Sequence, residues 1–182
     1  MEFLDGCNLS EFIESSGQKL SIETSMKIIL NTCNALKDIH ANGIIHRDIS
    51  PDNIFITNDG GVKLIDFGAA RFSSSEEKNF TIILKPGFAP PEQYDQISEQ
   101  GPKTDIYALG ILLYQLCAGH LPFSGTDQDI LSANLRSSLP MKDIIAACPL
   151  GSLQGSFGNG KSAIKEICFS SRITSRFRAR LK

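Results

Sequence analysis

Three polar side chains in one short stretch of this sequence are of the types that chemistry on phosphates needs. Asp48 and Asn53 stand in His46-Arg47-Asp48-Ile49-Ser50-Pro51-Asp52-Asn53, and Asp66 stands in Asp66-Phe67-Gly68. Between them, Ile54-Phe55-Ile56-Thr57 and Val62-Lys63-Leu64-Ile65 read as two short strands joined by the turn Asn58-Asp59-Gly60-Gly61. Asn53 precedes the first strand and Asp66 follows the second. Antiparallel pairing therefore brings both to the same end of a hairpin, beside Asp48. A carboxylate and an amide oxygen converging there suit Mg²⁺, a hard cation that takes oxygen ligands and keeps some waters. Asp48 is left to face a hydroxyl nucleophile. Phosphoryl transfer divides its labour in this way, with a base to orient the hydroxyl and a metal to offset phosphate charge. The competing reading is a pair of Asx-rich turns with no metal. Two linked motifs around one hairpin argue against it, where a single one would not.

The flanking elements are of the kind that could hold such a site. Ile22, Met26, Ile29, Leu30, Cys33, Leu36 and Ile39 recur at three- and four-residue steps, one apolar face of a long helix with Ser21 as N-cap and Gly43 as its stop. The run from Ile106 to Cys117 is apolar nearly all round and predicts a buried central helix ended by Gly119. Ser73 to Asn79 is polar, and Pro86, Pro90 and Pro91 enforce extended backbone up to Glu92. Beyond about residue 124 the periodicity weakens; helices are expected near 144–148 and 162–169.

Composition narrows the classes. The chain has 182 residues, enough for one domain with a sizeable core, and a net charge of −2 that argues against a general nucleic-acid binder. Seven Lys or Arg crowd the stretch from Lys161 to Lys182 against one acid, Glu166, without aromatic interleaving, so a solvated face is the reading preferred to a nucleic-acid or membrane patch. The five cysteines are scattered and form no Cys-x-x-Cys pair, which argues against zinc and fits a reducing, cytoplasmic setting. Neither a signal peptide nor an apolar run long enough to span a membrane is evident.

The order H-R-D-x-x-x-x-N and then D-F-G resembles the carboxyl-terminal lobe of protein serine/threonine kinases, and the resemblance covers most of residues 1–123. The wording of HRDISPDN, LKPGFAPPEQY and GPKTDIYALG is similar to bacterial members. The resemblance implies a fold that is mainly α with short β-hairpins, a kinase-like large lobe, with residues 1–182 as a partial kinase domain. It implies ATP and Mg²⁺ as cofactors and a protein substrate accepting phosphate on Ser or Thr. Asp48 and Asn53 take catalytic positions, and Asn53 and Asp66 the metal positions. Met1 to Gly6 looks like the hinge, which places adenine contacts at Glu2 and Leu4; Phe55 and Asp66 complete the nucleotide-side candidates. Asp105 looks like the aspartate that ties down the catalytic loop, and Arg176 like the partner of Glu92. Arg47 implies a phosphate acceptor among Ser73, Ser74, Ser75 and Thr81. A merely soluble serine-rich loop, or pairing of Arg47 with Glu76-Glu77, stands beside that reading.

Three departures qualify the resemblance. The sequence starts where the hinge is expected, with no Gly-rich loop, nucleotide-clasping lysine or helix glutamate before it. The expectation is a fragment, a truncated product, or a small lobe supplied by a partner, with an exposed apolar face that favours association. The alternative function is a non-catalytic remnant acting as a binding module. Next, Ser50 stands where such kinases carry lysine and Lys85 where they carry threonine, which makes Lys85 a further catalytic candidate. Last, residues 155–162 satisfy G-x-x-x-x-G-K-[ST], but Gly151-Ser152-Leu153-Gln154 is no strand. A P-loop nucleotide-binding protein is therefore the distant alternative.

Overall fold

The computed structural model describes residues 4–72, 85–94 and 99–136. Strand β1 (Gly6–Asn8) runs directly into helix α1 (Leu9–Ser15). Asn8 caps that helix reciprocally: its Oδ1 accepts from Glu11 N at 2.8 Å, and Glu11 Oε2 accepts from Asn8 N at 3.2 Å. The Asn8-to-Glu11 spacing is a capping signal that hydrophobic periodicity alone does not reveal, since α1 has only two turns.

Helix α2 (Ile22–Ala41) is the long amphipathic helix expected from the sequence. Ser21 accepts from Thr24 N at 3.2 Å at its start, and Gly43 follows its end with φ 71°. The buried face carries Met26, Ile28, Ile29, Thr32 and Leu36. Strand β2 (Ile44–Ile45) pairs antiparallel with β5 (Arg71–Phe72). Strands β3 (Ile54–Thr57) and β4 (Val62–Leu64) form the expected hairpin, one residue shorter on its second strand, and β1 adds to its other edge in the order β1-β3-β4. Gly6 makes that addition possible, because a Cβ there would lie 2.0 Å from the Ile56 carbonyl oxygen.

Helix α4 (Pro102–Ala118) starts four residues earlier than the apolar run suggested, with Pro102 in its first turn. It ends at Gly119, whose φ is 83° and whose N–H donates to Gln115 O at 2.8 Å. Its residues 107–114 are all buried. Leu109, Ile111, Leu112 and Leu116 are inaccessible to solvent and share one core with Leu9, Ile29, Leu36, Ile49 and Ile54. Each such side chain contributes about 1.5–3 kcal/mol by leaving water. Short α3 (Pro91–Tyr94) and α5 (Asp127–Arg136) complete the described residues. Helix α5 falls where periodicity weakened; Thr126 and Asp129 cap its start reciprocally. The helices expected near 144–148 and 162–169, and the G-x-x-x-x-G-K-[ST] stretch, lie outside the described residues.

Candidate active site

Strand β2 leads from α2 into the turn that carries Asp48, and a carboxylate remote in sequence sets that turn. Asp105, buried in the first turn of α4, accepts from His46 N at 2.9 Å and from Arg47 N at 2.7 Å. Its Oδ2 also accepts from His40 Nε2 at 2.7 Å. Arg47 adopts φ 69°, in the left-handed region, and its carbonyl accepts from the buried Gln93 Nε2 at 2.8 Å. The Arg47 side chain turns inward, donating to Gln100 Oε1 at 2.6 Å and to Ala69 O at 3.4 Å. Burial and the neighbouring Arg71 charge push its pKa down, against the pull of Asp105.

His46 is buried, and its Nε2 lies 3.2 Å from Ile65 O. A carbonyl only accepts, so Nε2 bears the hydrogen, and Nδ1 is the acceptor that faces Asp48 N at 3.4 Å. The ring packs tilted on Phe67, centroids 4.8 Å apart.

Asn53 fastens Asp48. Its Nδ2 donates to Asp48 Oδ2 at 2.7 Å and to Asp48 O at 2.8 Å. Both amide hydrogens are thereby engaged, which leaves Oδ1 as an acceptor. Asn53 O accepts from Ile65 N at 3.0 Å, continuing the β3–β4 pairing past Ile54 and Leu64. Asn53 and Asp66 therefore flank the same end of the hairpin. Asp66 is exposed, at φ 57°, with its Oδ1 accepting from Gly68 N at 3.0 Å. Among the described residues no group of three His, Cys, Asp or Glu is placed to hold a metal. An amide oxygen and a carboxylate are an oxygen-only donor pair, of the kind Mg²⁺ completes with waters and phosphate.

Lys85 reaches this loop from another segment. Lys85-Pro86-Gly87-Phe88 is a tight turn: Lys85 O accepts from Phe88 N at 3.1 Å, and Gly87 has φ 87°. Proline then a left-handed glycine at the two central positions is the type II signature. A Cβ on Gly87 would also come within 2.7 Å of Leu121 Cδ1. So anchored, Lys85 sends its Nζ to the buried Ser50 Oγ at 3.1 Å and to an ion pair with Asp52. Ser10 of α1 donates to the other oxygen of Asp52. Burial pushes the Lys85 pKa down, while the field of Asp48 pulls it up.

The remaining candidates are placed less closely. Leu4 is half-buried just before β1. Phe55, half-buried on β3, stands in register with Asn8 of β1 and Lys63 of β4. Glu2, the segment from Ser73 to Thr81, and Arg176 lie outside the described residues. Glu92 Oε1 accepts from Thr104 Oγ1 at 3.1 Å.

Residues 1–168 match the model of the protein kinase domain family. The chain belongs to the protein kinase family. It is 35% identical over 156 residues to the serine/threonine-protein kinase Pkn1 of Myxococcus xanthus, covering 81% of this chain and 22% of that protein. It is 37% identical over 128 residues to the serine/threonine-protein kinase shk2 of Schizosaccharomyces pombe, covering 70% and 21%. With PknB of Mycobacterium leprae it shares 36% over 128 residues, covering 69% and 20%. The relatives it matches are named serine/threonine-protein kinases, and the described residues form the helices and small antiparallel sheets of a protein kinase domain family member. The chain spans about a fifth of the length of the curated relatives it matches.

Several residues that build this kinase site escaped the reading of the sequence. His40, Gln93, Gln100 and Ser10 act on Asp105, Arg47 or Asp52 from separate elements. His40 sits at the end of α2, where a basic residue reads as a helix-dipole partner. Gln93 is polar and buried on a four-residue helix, and nothing in its neighbours marks it.

Proposed function

We propose that residues 1–182 carry the hinge and large lobe of an ATP- and Mg²⁺-dependent protein kinase that phosphorylates Ser or Thr hydroxyls. The observation that carries this reading is the Asp48–Asn53 pair. One amide donates to both the carboxylate and the carbonyl of Asp48, fixing the carboxylate while keeping an oxygen for a metal. Asn53 and Asp66 would hold Mg²⁺, which when bound offsets charge on the donor phosphates. Asp48 orients the acceptor hydroxyl and takes its proton as the acceptor oxygen bonds to the γ-phosphorus. The bond from that phosphorus to the bridging oxygen breaks, its electron pair leaving with ADP. His46, packed against Phe67, joins the two turns without entering the bond changes. Leu4, Phe55 and Glu2 are assigned to the adenine side. The scattered cysteines support placing the protein in the cytoplasm, and no helix among the described residues is long and apolar enough to cross a membrane.

A non-catalytic binding module is the second reading. Phe67 and Phe72, exposed at 44% and 63%, favour it, because such rings serve a docked partner as well as a second lobe. One assay separates the two: phosphate transfer from labelled ATP to a protein acceptor by the intact gene product. Asp48→Asn should lower kcat by at least about 10²-fold while ATP binding stays within a few-fold. A protein that binds ATP but transfers nothing above the Asp48→Asn level would make the binding module the better account.

A further inference from the structure

The loop from Asp48 to Asn53 contains no basic residue, and the Arg47 side chain before it is turned toward Gln100 and Ala69. Transfer of a phosphoryl group concentrates negative charge between donor and acceptor, and preorganised cations aimed at that charge are a large share of such catalysis. The cation at this loop comes from elsewhere. Lys85 is fixed at its backbone by the Pro86-Gly87 turn and seated on the Ser50 hydroxyl. Its ammonium contacts Asp52, and the charge of Asp48 acts on it.

We propose that Lys85 is a catalytic residue whose ammonium, seated on Ser50, contacts the transferring phosphoryl group, with Asp52 as a secondary holding partner. Ser50 is then a positioning residue. Its buried hydroxyl accepts from the ammonium and leaves the remaining hydrogens of Nζ to Asp52 or to phosphate oxygens. Lys85 forms and breaks no covalent bond; the proton still goes to Asp48 and the electron pair to ADP. The proposal rests on the kinase reading above. It adds that the charge needed at the loop is delivered by a segment remote from it in sequence. Charge delivery is thereby linked to the correct folding of the turn at residues 85–88.

An ordinary surface ion pair between Lys85 and Asp52 would account for the same contact, and the two accounts separate in steady-state kinetics of the intact gene product. Lys85→Met should lower kcat by about 10²-fold, with KM for ATP changed by less than about threefold. Asp52→Asn should lower kcat by clearly less than Lys85→Met does. Lys85→Thr should match Lys85→Met, and Lys85→Thr with Ser50→Lys should regain at least about tenfold, since the cation returns from the other side. Lys85→Arg should keep more activity than Lys85→Met. It should also remove an alkaline limb that lies below the pH of an ordinary lysine, because burial favours the neutral amine despite the charge of Asp48. An Asp52→Asn loss equal to that of Lys85→Met would show that only the ion pair matters and overturn the proposal. So would independent, additive losses in the double variant, or a Lys85→Met kcat within twofold of wild type. Wild-type protein without transferase activity would sink the kinase reading itself, an outcome distinct from an active wild type indifferent to Lys85.

Discussion

The backbone at Arg47 and the backbone at Asp66 both enter the left-handed region, with φ of 69° and 57°, but different bonds hold them there. At Arg47 the N–H goes to Asp105 and the carbonyl takes Gln93, two partners remote in sequence and both buried. At Asp66 the bonds that close the turn are local, Gly68 N to the Asp66 carboxylate at 3.0 Å and Ala70 N to Phe67 O at 3.0 Å, and the remote bonds from His46 and Arg47 fall on its flanks, at Ile65 O and Ala69 O. A non-glycine residue in this region costs on the order of 1–3 kcal/mol and persists where its surroundings over-determine it. The Arg47 turn is over-determined by the core. The Asp66 turn uses the tolerance of aspartate for this conformation and its own side chain. The difference teaches that the proposed base sits on a turn bonded directly to the core, whereas the proposed metal ligand stands on an exposed turn closed by its own short bonds and held by remote residues only at its flanks.

The largest effect is expected at Asp105. Asp105→Ala strands two buried backbone donors and the His40 ring, and should lower the unfolding free energy by about 3–5 kcal/mol in urea titration. A loss below about 1 kcal/mol would erase the contrast between the two turns. Gln93→Ala leaves only the Arg47 carbonyl without its donor, and about 1–3 kcal/mol should be lost in the same titration. A loss equal to that of Asp105→Ala would mean that Gln93 holds more than one turn. The smallest stability effect is expected from Asp66→Gly, within about 1 kcal/mol, because relief at φ 57° offsets the lost side-chain bond. Its metal-dependent turnover should nevertheless collapse. Destabilisation by Asp66→Gly on the scale of Asp105→Ala would show that both turns are anchored alike.

Elements with a strong period were legible in the sequence. The stripe from Ile22 to Ile39 became α2, and the uninterrupted apolar run from Ile106 to Cys117 became most of α4. The hairpin around Gly60-Gly61 was legible from its turn chemistry, and it carried Asn53 and Asp66 to one end. Short elements were not: α1 and α5 are too brief for periodicity to rise above chance, although both bear reciprocal caps. The nearness of Lys85 to Ser50 was legible only through resemblance, since no local pattern relates positions 35 residues apart. The roles of Gln93 and Gln100 were hidden for the same reason. A glutamine that donates to a distant carbonyl is spelled like any surface glutamine.

The apolar girth of α4 has a consequence for how the chain is made. The core partners Leu9, Ile29, Leu36, Ile49 and Ile54 all precede it in the sequence, so they leave the ribosome before the helix that covers them. At typical synthesis rates of about 5–20 residues per second, the interval between residues 54 and 117 lasts roughly 3–13 s. For that time the apolar faces of these residues lack the helix that covers them in the folded chain. When Asp105 emerges at the head of α4, the same helix that closes this surface also brings the carboxylate that sets the turn at Arg47. Completion of the core and setting of the turn at Arg47 therefore both wait on the same helix.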